Sequence, residues 1–412
     1  MEKTCGLYPG LASFSRDYDA DDYSDWVEQS NGDPLPAPLA LYVQESSDVG
    51  SSHTAVSAAL RLNALELELA MQGKLFDSDR PLQQLVLSSS LVIEWDDDQL
   101  HQLVSVIRDS FTIHETGVEN GCACVGSASP DVTRLKLLSD LGFNKVRFSL
   151  LDRTNIGRSL DELGESIGLA RQFGFSQVAI DLPVGVLRFL DFPQTVEAWL
   201  TRIAPDRIRL TGIVGEAGPV YTHMLSTLGY RNIGLDCYLK TDDVLMRARG
   251  GDRLHWSLLG FTDMTSPDVI GIGPGAISSI GEFYAANESD WTSYQDLLQQ
   301  GHLPIVRGIE LEADDVLRRE IMVMILAGSC IHIAAIEAKW GIRFNRFFAA
   351  EVEQLRVLER NHWLDWQHDD IHILVRSREE LAEICHVFDH RSCETLAPLP
   401  TPISESHRSS LK

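Results

Sequence analysis

Basic residues are scarce in this chain of 412: 35 Lys and Arg stand against 60 Asp and Glu, a formal charge of −25. Nucleic-acid binding needs clustered Lys and Arg at the phosphates, so an acid excess of this size argues against it. No apolar run reaches the roughly 18 residues that a membrane-spanning helix requires. The opening stretch MEKTCGLYPGLASFSRDYDADDY has no apolar core behind a basic start, so no secretory leader is read there. Cysteine is sparse too: seven residues, an odd number, without the spacing of a disulfide framework. Internal repeats are missing beyond an alternation of strand-like and helix-like stretches. What remains is an ordinary globular composition, 44% hydrophobic and 23% charged, and the expected location is the cytoplasm.

Residues 1–40 carry two basic and eight acidic side chains and end in the proline-rich DPLPAPLA, which reads as an N-terminal arm with one short helix near Tyr18–Glu28. Strand-like runs follow at Ala40–Val43, Gln84–Leu87, Cys122–Val125, Lys145–Leu150, Gln177–Leu182 and Arg207–Ile213. Helix-like segments lie between them, at Thr54–Met71, Asp97–Phe111, Asp131–Leu141, Leu160–Phe173 and Gln194–Ile203. Such βα units require a parallel sheet with helical crossovers, and six in a row predict an open or partial β/α barrel over 41–305. From about residue 306 the periodicity turns helical, at Asp314–Leu326, Ala334–Trp340 and Phe347–Arg360. A hairpin turning at Asp369–Asp370 and a helix over Arg378–Phe388 complete a winged-helix-like domain over 306–395. That domain holds 11 basic and 17 acidic residues, which argues against DNA binding by its wing. The Pro/Ser-rich tail, 396–412, is expected to be disordered.

Four stretches invite chemistry. VIGIGPGAIS meets the G-x-G-x-x-A spacing at Gly271, Gly273 and Ala276. It comes after six βα units, and Pro274 removes a backbone donor, so it reads as a strand-to-loop passage of close backbone approach. Cys122 and Cys124 fall on one face of a strand; they either begin a metal site that lacks further ligands or pack as small core residues. The run CHVFDHRSC offers Cys385, His386, Asp389, His390 and Cys393 on or beside one helix, a set for a transition metal or haem, or a solvated helix end. Ser88–Ser90 with Asp96–Asp98 lacks a nucleophile elbow and carries no hydrolase assignment.

Taken together, DVIGIGPGAISSIGEFYAAN (Asp268–Asn287), GYRNIGLD (Gly229–Asp236), GFSQVAIDLPVG (Gly174–Gly185), VRGIELEADDVLRRE (Val306–Glu320) and AIEAKWGIRF (Ala335–Phe344) resemble the oxygen-independent coproporphyrinogen III oxidases, radical-SAM dehydrogenases of haem biosynthesis. With PDRIRL (Pro205–Leu210), LYPG near the start and PAPLALYV at Pro36–Val43, the likeness runs over roughly residues 7–390. It implies a partial (β/α)6 barrel with a helical, winged-helix-like C-terminal domain. In that family, H-I-P-F-C opens a C-x-x-x-C-x-x-C motif after L-Y-V. Its three thiolates hold a [4Fe–4S] cluster, and the fourth iron site binds S-adenosylmethionine.

This chain departs from the pattern at that point. Its run is QESSDVGSSHTAVS, with Asp48, Ser52 and Ala55 at the three cysteine positions, and no cysteine lies between Cys5 and Cys122. None of the three substitutes supplies a soft thiolate. The family's G-G-G-T-P appears as Ser88–Ser89–Ser90–Leu91–Val92, its E-x-D-P as VGSASP, and its glutamine as Leu151. Of its arginine only Arg158 is left as an imperfect substitute. Tyr42, Asp181, Gly271 and Gly273 match cofactor-contacting positions and are read as vestiges of an S-adenosylmethionine site. The resemblance therefore implies a member with no catalytic residues, cluster or metal, which binds a tetrapyrrole, with Arg207, Arg209 and Arg158 meeting propionates, or docks on a haem-pathway protein. The alternatives are an active coproporphyrinogen dehydrogenase with a replaced cofactor site, and a haem carrier or sensor.

Overall fold

The computed structural model describes residues 8–45, 56–113, 120–125, 132–149, 156–184, 194–212, 217–251, 253–263, 267–328 and 330–391. The chain opens with helix α1 (Ala20–Asn31), strand β1 (Leu39–Val43), α2 (Ala58–Gly73), β2 (Leu82–Leu87), α3 (Ser89–Glu94) and α4 (Asp97–Ser110). It continues through β3 (Asn120–Val125), α5 (Val132–Asp140), β4 (Lys145–Ser149), α6 (Ile156–Gln172), β5 (Gln177–Pro183), α7 (Gln194–Ile203) and β6 (Arg207–Thr211). Next come α8 (Ala217–Thr227), β7 (Tyr230–Gly234), β8 (Cys237–Lys240), α9 (Val244–Gly250), β9 (His255–Ser257) and β10 (Gly260–Thr262). Then follow β11 (Asp268–Ile272), β12 (Ile277–Ile280), β13 (Phe283–Asn287), α10 (Trp291–Gln299) and β14 (Ile305–Glu310). The C-terminal part holds α11 (Ala313–Leu326), β15 (Cys330–His332), α12 (Ile333–Trp340), α13 (Phe344–Phe347) and α14 (Ala349–Arg360). It ends with β16 (Leu364–Gln367), β17 (Asp370–Ile373) and α15 (Arg378–Phe388).

One twelve-stranded sheet organises the molecule, in the order β14-β13-β12-β11-β1-β2-β3-β4-β5-β6-β8-β7. The seven strands from β11 to β6 run parallel, and antiparallel strands extend the sheet on both sides, so the barrel is open. The six expected strands and five expected helices of the βα series are all present. The antiparallel β12–β14 extension was not foreseen, and residue 306 falls inside β14 of this large sheet. The N-terminal arm is tied down: Tyr23 and Val27 of α1 are fully buried, and Ser15 bridges to Gly308 of β14. Asp19 starts α1 and Asp96 starts α4 with capping boxes, which satisfy first-turn N–H groups that would otherwise lack partners.

Residue alternation divides the parallel strands into two faces. Leu41 and Val43, Val146 and Phe148, Ile180 and Leu182, Ile208 and Leu210 point to the helices and form the main apolar core. A second core joins α11, α12, α14 and α15 to the small sheet β15-β17-β16, through Ile331, Ile371, Phe348 and Ile384 among others. Among the described residues no helix is long and apolar enough to cross a membrane.

Candidate functional site

The other face of the parallel strands is polar and lines a cavity of about 630 Å³ inside the open barrel. Register brings its side chains into rungs. One reads Cys124, Arg147, Ala179, Arg207 across β3 to β6, and the next reads Ser149, Asp181, Arg209, Cys237 across β4, β5, β6 and β8. Tyr42 on β1 faces the same space, beside Ser88 and Ser89. The far wall is apolar: Leu245 of α9, and the β9–β10 hairpin with Trp256 and Phe261 packed edge to face at 4.7 Å. Arg378, at the start of α15, brings a further cation from the C-terminal region. The lining thus sets four arginines against one carboxylate, within a chain of strongly negative charge.

These arginines are not equivalent. Arg209 grips Asp181 with both nitrogens, at 3.0 and 2.5 Å, and Ser149 donates to the same carboxylate at 3.2 Å. Arg207 grips Asp243 at 2.9 and 3.0 Å. Among the described residues, no carboxylate comes within ion-pair distance of Arg147. Burial works against its charge, while Cys124, Cys122 and Asp181 favour it and hold the guanidinium above its ordinary pKa. The influence runs both ways: a hydrogen bond from Cys124, with Arg147 nearby, lowers the Cys122 thiol to about 6. Cys124, the donor in that pair, is pushed up. Burial raises the Tyr42 phenol and the Cys237 thiol, and lowers the Lys145 ammonium.

Gly271 and Gly273 owe their identity to backbone packing. A Cβ on Gly271 would sit 2.5 Å from the Ile277 carbonyl oxygen. One on Gly273, whose φ is 108°, would sit 2.0 Å from that of Gln44. A fully buried carboxylate fastens the same loop. Glu68 of α2 accepts from the Gly273 N–H at 2.8 Å, from Asn287 Nδ2 at 2.6 Å and from the Tyr294 hydroxyl. Burial pushes Glu68 up to about 7. At the head of the loop after β1, Glu45 is buried between Arg61 at 2.8 Å and the Trp95 indole at 3.1 Å.

The positions of Asp48, Ser52, Ala55, Leu151 and Cys393 lie outside the described residues, as does the side chain of Arg158. Cys122 and Cys124 share the cavity face, as their spacing predicted, and are in no disulfide. Cys385 turns its Sγ to the Met322 carbonyl. His390 instead bonds the Tyr8 hydroxyl at 2.8 Å, and His386 lies 4.0 Å from Asp389. These side chains do not converge on one point. Sequence reasoning missed Arg147, although K-V-R-F-S alternates basic and apolar residues and so marks a strand with one charged face.

No family model matches the chain. In fold it is an open parallel β/α barrel of the radical-SAM kind. Coproporphyrinogen III oxidase from Escherichia coli, described as a radical SAM enzyme, superposes with a TM-score of 0.79 over 94% of this chain and 98% of its own, at 23% identity. Oxygen-independent coproporphyrinogen III oxidases from Helicobacter pylori (24% identity, 85% of this chain and 86% of the relative) and Salmonella typhimurium (25%, 80% and 78%) align with it. So does that of Synechocystis, at 25% identity over 93% of this chain and 91% of the relative. Over most of its length the chain is thus similar to oxygen-independent coproporphyrinogen III oxidases.

Proposed function

We propose that this chain holds a carboxylated tetrapyrrole in its barrel cavity and performs no radical chemistry of its own. The observation that carries the reading is the cavity itself: a cationic rim that includes Arg147, facing an apolar wall of Leu245, Trp256 and Phe261. An amphiphilic ring with several carboxylates matches both sides, and its propionates would meet guanidinium groups, which bind carboxylates in paired hydrogen bonds. The volume lies within the range of about 300–1,000 Å³ common for small-molecule sites.

The donor set does not fit an iron–sulfur cluster. A cluster of the family's type needs three thiolates, and counting on from the L-Y-V run those positions carry Asp48, Ser52 and Ala55. Cys122 and Cys124 offer two neighbouring thiols. Cys237 stands on β8, four strands further along the sheet, with the Arg147 and Arg209 strands between. Asp181, which matches the family's ribose-contacting acid, is held by Arg209.

The test is an equilibrium titration with coproporphyrin III, the oxidised tetracarboxylate, followed by quenching of its fluorescence. Saturable one-to-one binding that a dicarboxylic porphyrin competes for poorly is the expected result. No binding at micromolar protein would overturn the reading.

A further inference from the structure

The small sheet of the C-terminal region turns one face into the second core. Ile331, Ile371, Leu364 and Ile373 point into the second core. By alternation, their neighbours point outward: Cys330 and His332 on β15, Asp370 and His372 on β17. The antiparallel register sets Cys330 directly opposite His372 and His332 directly opposite Asp370. Directly opposed residues on one face of a sheet bring their side chains together, and here they do so closely. A ligand atom from each of Cys330, Asp370 and His372 lies within 4.8 Å of the other two, all three residues half-buried. His332 Nδ1 holds the Asp370 carboxylate at 2.8 Å. The nearby Asp365 carboxylate is occupied by Gln367 at 2.6 Å.

We infer that Cys330, His372 and Asp370, none of which lines the barrel cavity, form a divalent-metal site independent of what the cavity binds. The donors are one thiolate, one imidazole and one carboxylate. A mixed S/N/O set of this kind selects Zn²⁺ or a related late transition metal; Mg²⁺ and Ca²⁺ demand oxygen ligands throughout. Bond lengths of about 2.0–2.3 Å place tetrahedral ligands about 3.3–3.8 Å apart, so side-chain rotations close the present spacing without movement of the strands. A fourth ligand would be water. His332 is a positioning residue: its ring fixes which oxygen of Asp370 turns to the metal. Binding releases the thiol proton of Cys330 to solvent and adds a side-chain link between β15 and β17 to their antiparallel pairing.

The experiment uses the full chain, stripped with chelator and titrated anaerobically with Co²⁺. One Co²⁺ per chain is expected, with the thiolate-to-cobalt band in the near ultraviolet and the visible bands of a tetrahedral ion, both lost on adding Zn²⁺. Cys330→Ser should abolish the thiolate band. His372→Ala should raise the dissociation constant by more than about 100-fold, since loss of a partner that merely orients a ligand already costs about 10–100-fold. His332→Ala should raise it within that smaller range. In a Cys122→Ser/Cys124→Ser double variant the band should persist. For the parent chain, saturating Zn²⁺ should raise the melting temperature, a readout that needs no substitution. Absence of a thiolate band at saturating Co²⁺ would overturn the site. So would a band that survives Cys330→Ser and disappears in the double variant, because it would place the metal in the barrel.

Discussion

Replacing Arg147 by methionine separates a ligand-binding role from a structural one, because the two roles predict opposite behaviour. Arg147 lies on the cavity face of β4, where no described carboxylate pairs with it, and Cys122 and Cys124 are among its neighbours. Methionine fills most of the arginine stem and removes the charge. If the guanidinium meets a propionate, one charged hydrogen-bonded contact is lost, worth about 1.5–3 kcal/mol. At 1.4 kcal/mol per factor of ten, the dissociation constant for coproporphyrin III should rise roughly 10- to 150-fold. The ligand-free protein should not suffer, since a cation without a carboxylate partner in a confined space contributes little to stability. Its urea midpoint should stay level or rise. The Cys122 thiol should move up from about 6, because one of the charges that lowers it is gone. Titration, urea unfolding and the pH dependence of thiol alkylation read the three effects separately. Unchanged porphyrin affinity would refute the role given to Arg147, and so would a large loss of stability in the ligand-free variant.

Two further outcomes concern the glycine loop after β11. Gly273→Ala should lower stability by about 2–4 kcal/mol in urea unfolding, from the left-handed backbone and the overlap with the Gln44 carbonyl; an unchanged midpoint would mean that the loop is not fixed by packing. Glu68 is raised from an ordinary 4.5 to about 7 by burial, so the folded state holds its proton where the unfolded state has lost it. Its contribution is complete below about pH 4.5 and falls as pH rises to about 7, by about 3 kcal/mol in all. Glu68→Gln should flatten that slope between pH 5 and 8, and an identical slope in the variant would assign the effect elsewhere.

The barrel was legible because its strands alternate. V-R-F-S and R-I-R-L announce one apolar and one charged face, and the periodicity of the intervening helices fixes the crossovers. The antiparallel strands β12 to β14 were hidden, since Ile277–Ile280 and Phe283–Asn287 are short runs beside glycines with no long alternation to mark them. The arginines named from sequence, Arg207 and Arg209, turned out to be gripped by Asp243 and Asp181. Pairing across strands decides which cation keeps a free hand, and pairing cannot be read from a single strand. The same holds for Cys330 and His372, 42 positions apart in sequence yet opposite each other in register. The i, i+2 signals C-I-H and D-I-H were visible, and their meeting was not.

Whether radical chemistry has been given up rests most directly on iron. The protein should be reconstituted anaerobically with iron and sulfide, desalted, and assayed for bound iron, for its visible spectrum and for cleavage of S-adenosylmethionine under a strong reductant. With Asp48, Ser52 and Ala55 in place of three thiolates, the expected result is no more than about one iron per chain, no brown absorbance and no 5′-deoxyadenosine. About four irons per chain with the broad absorbance of a cluster, and cleavage of the sulfonium, would contradict it.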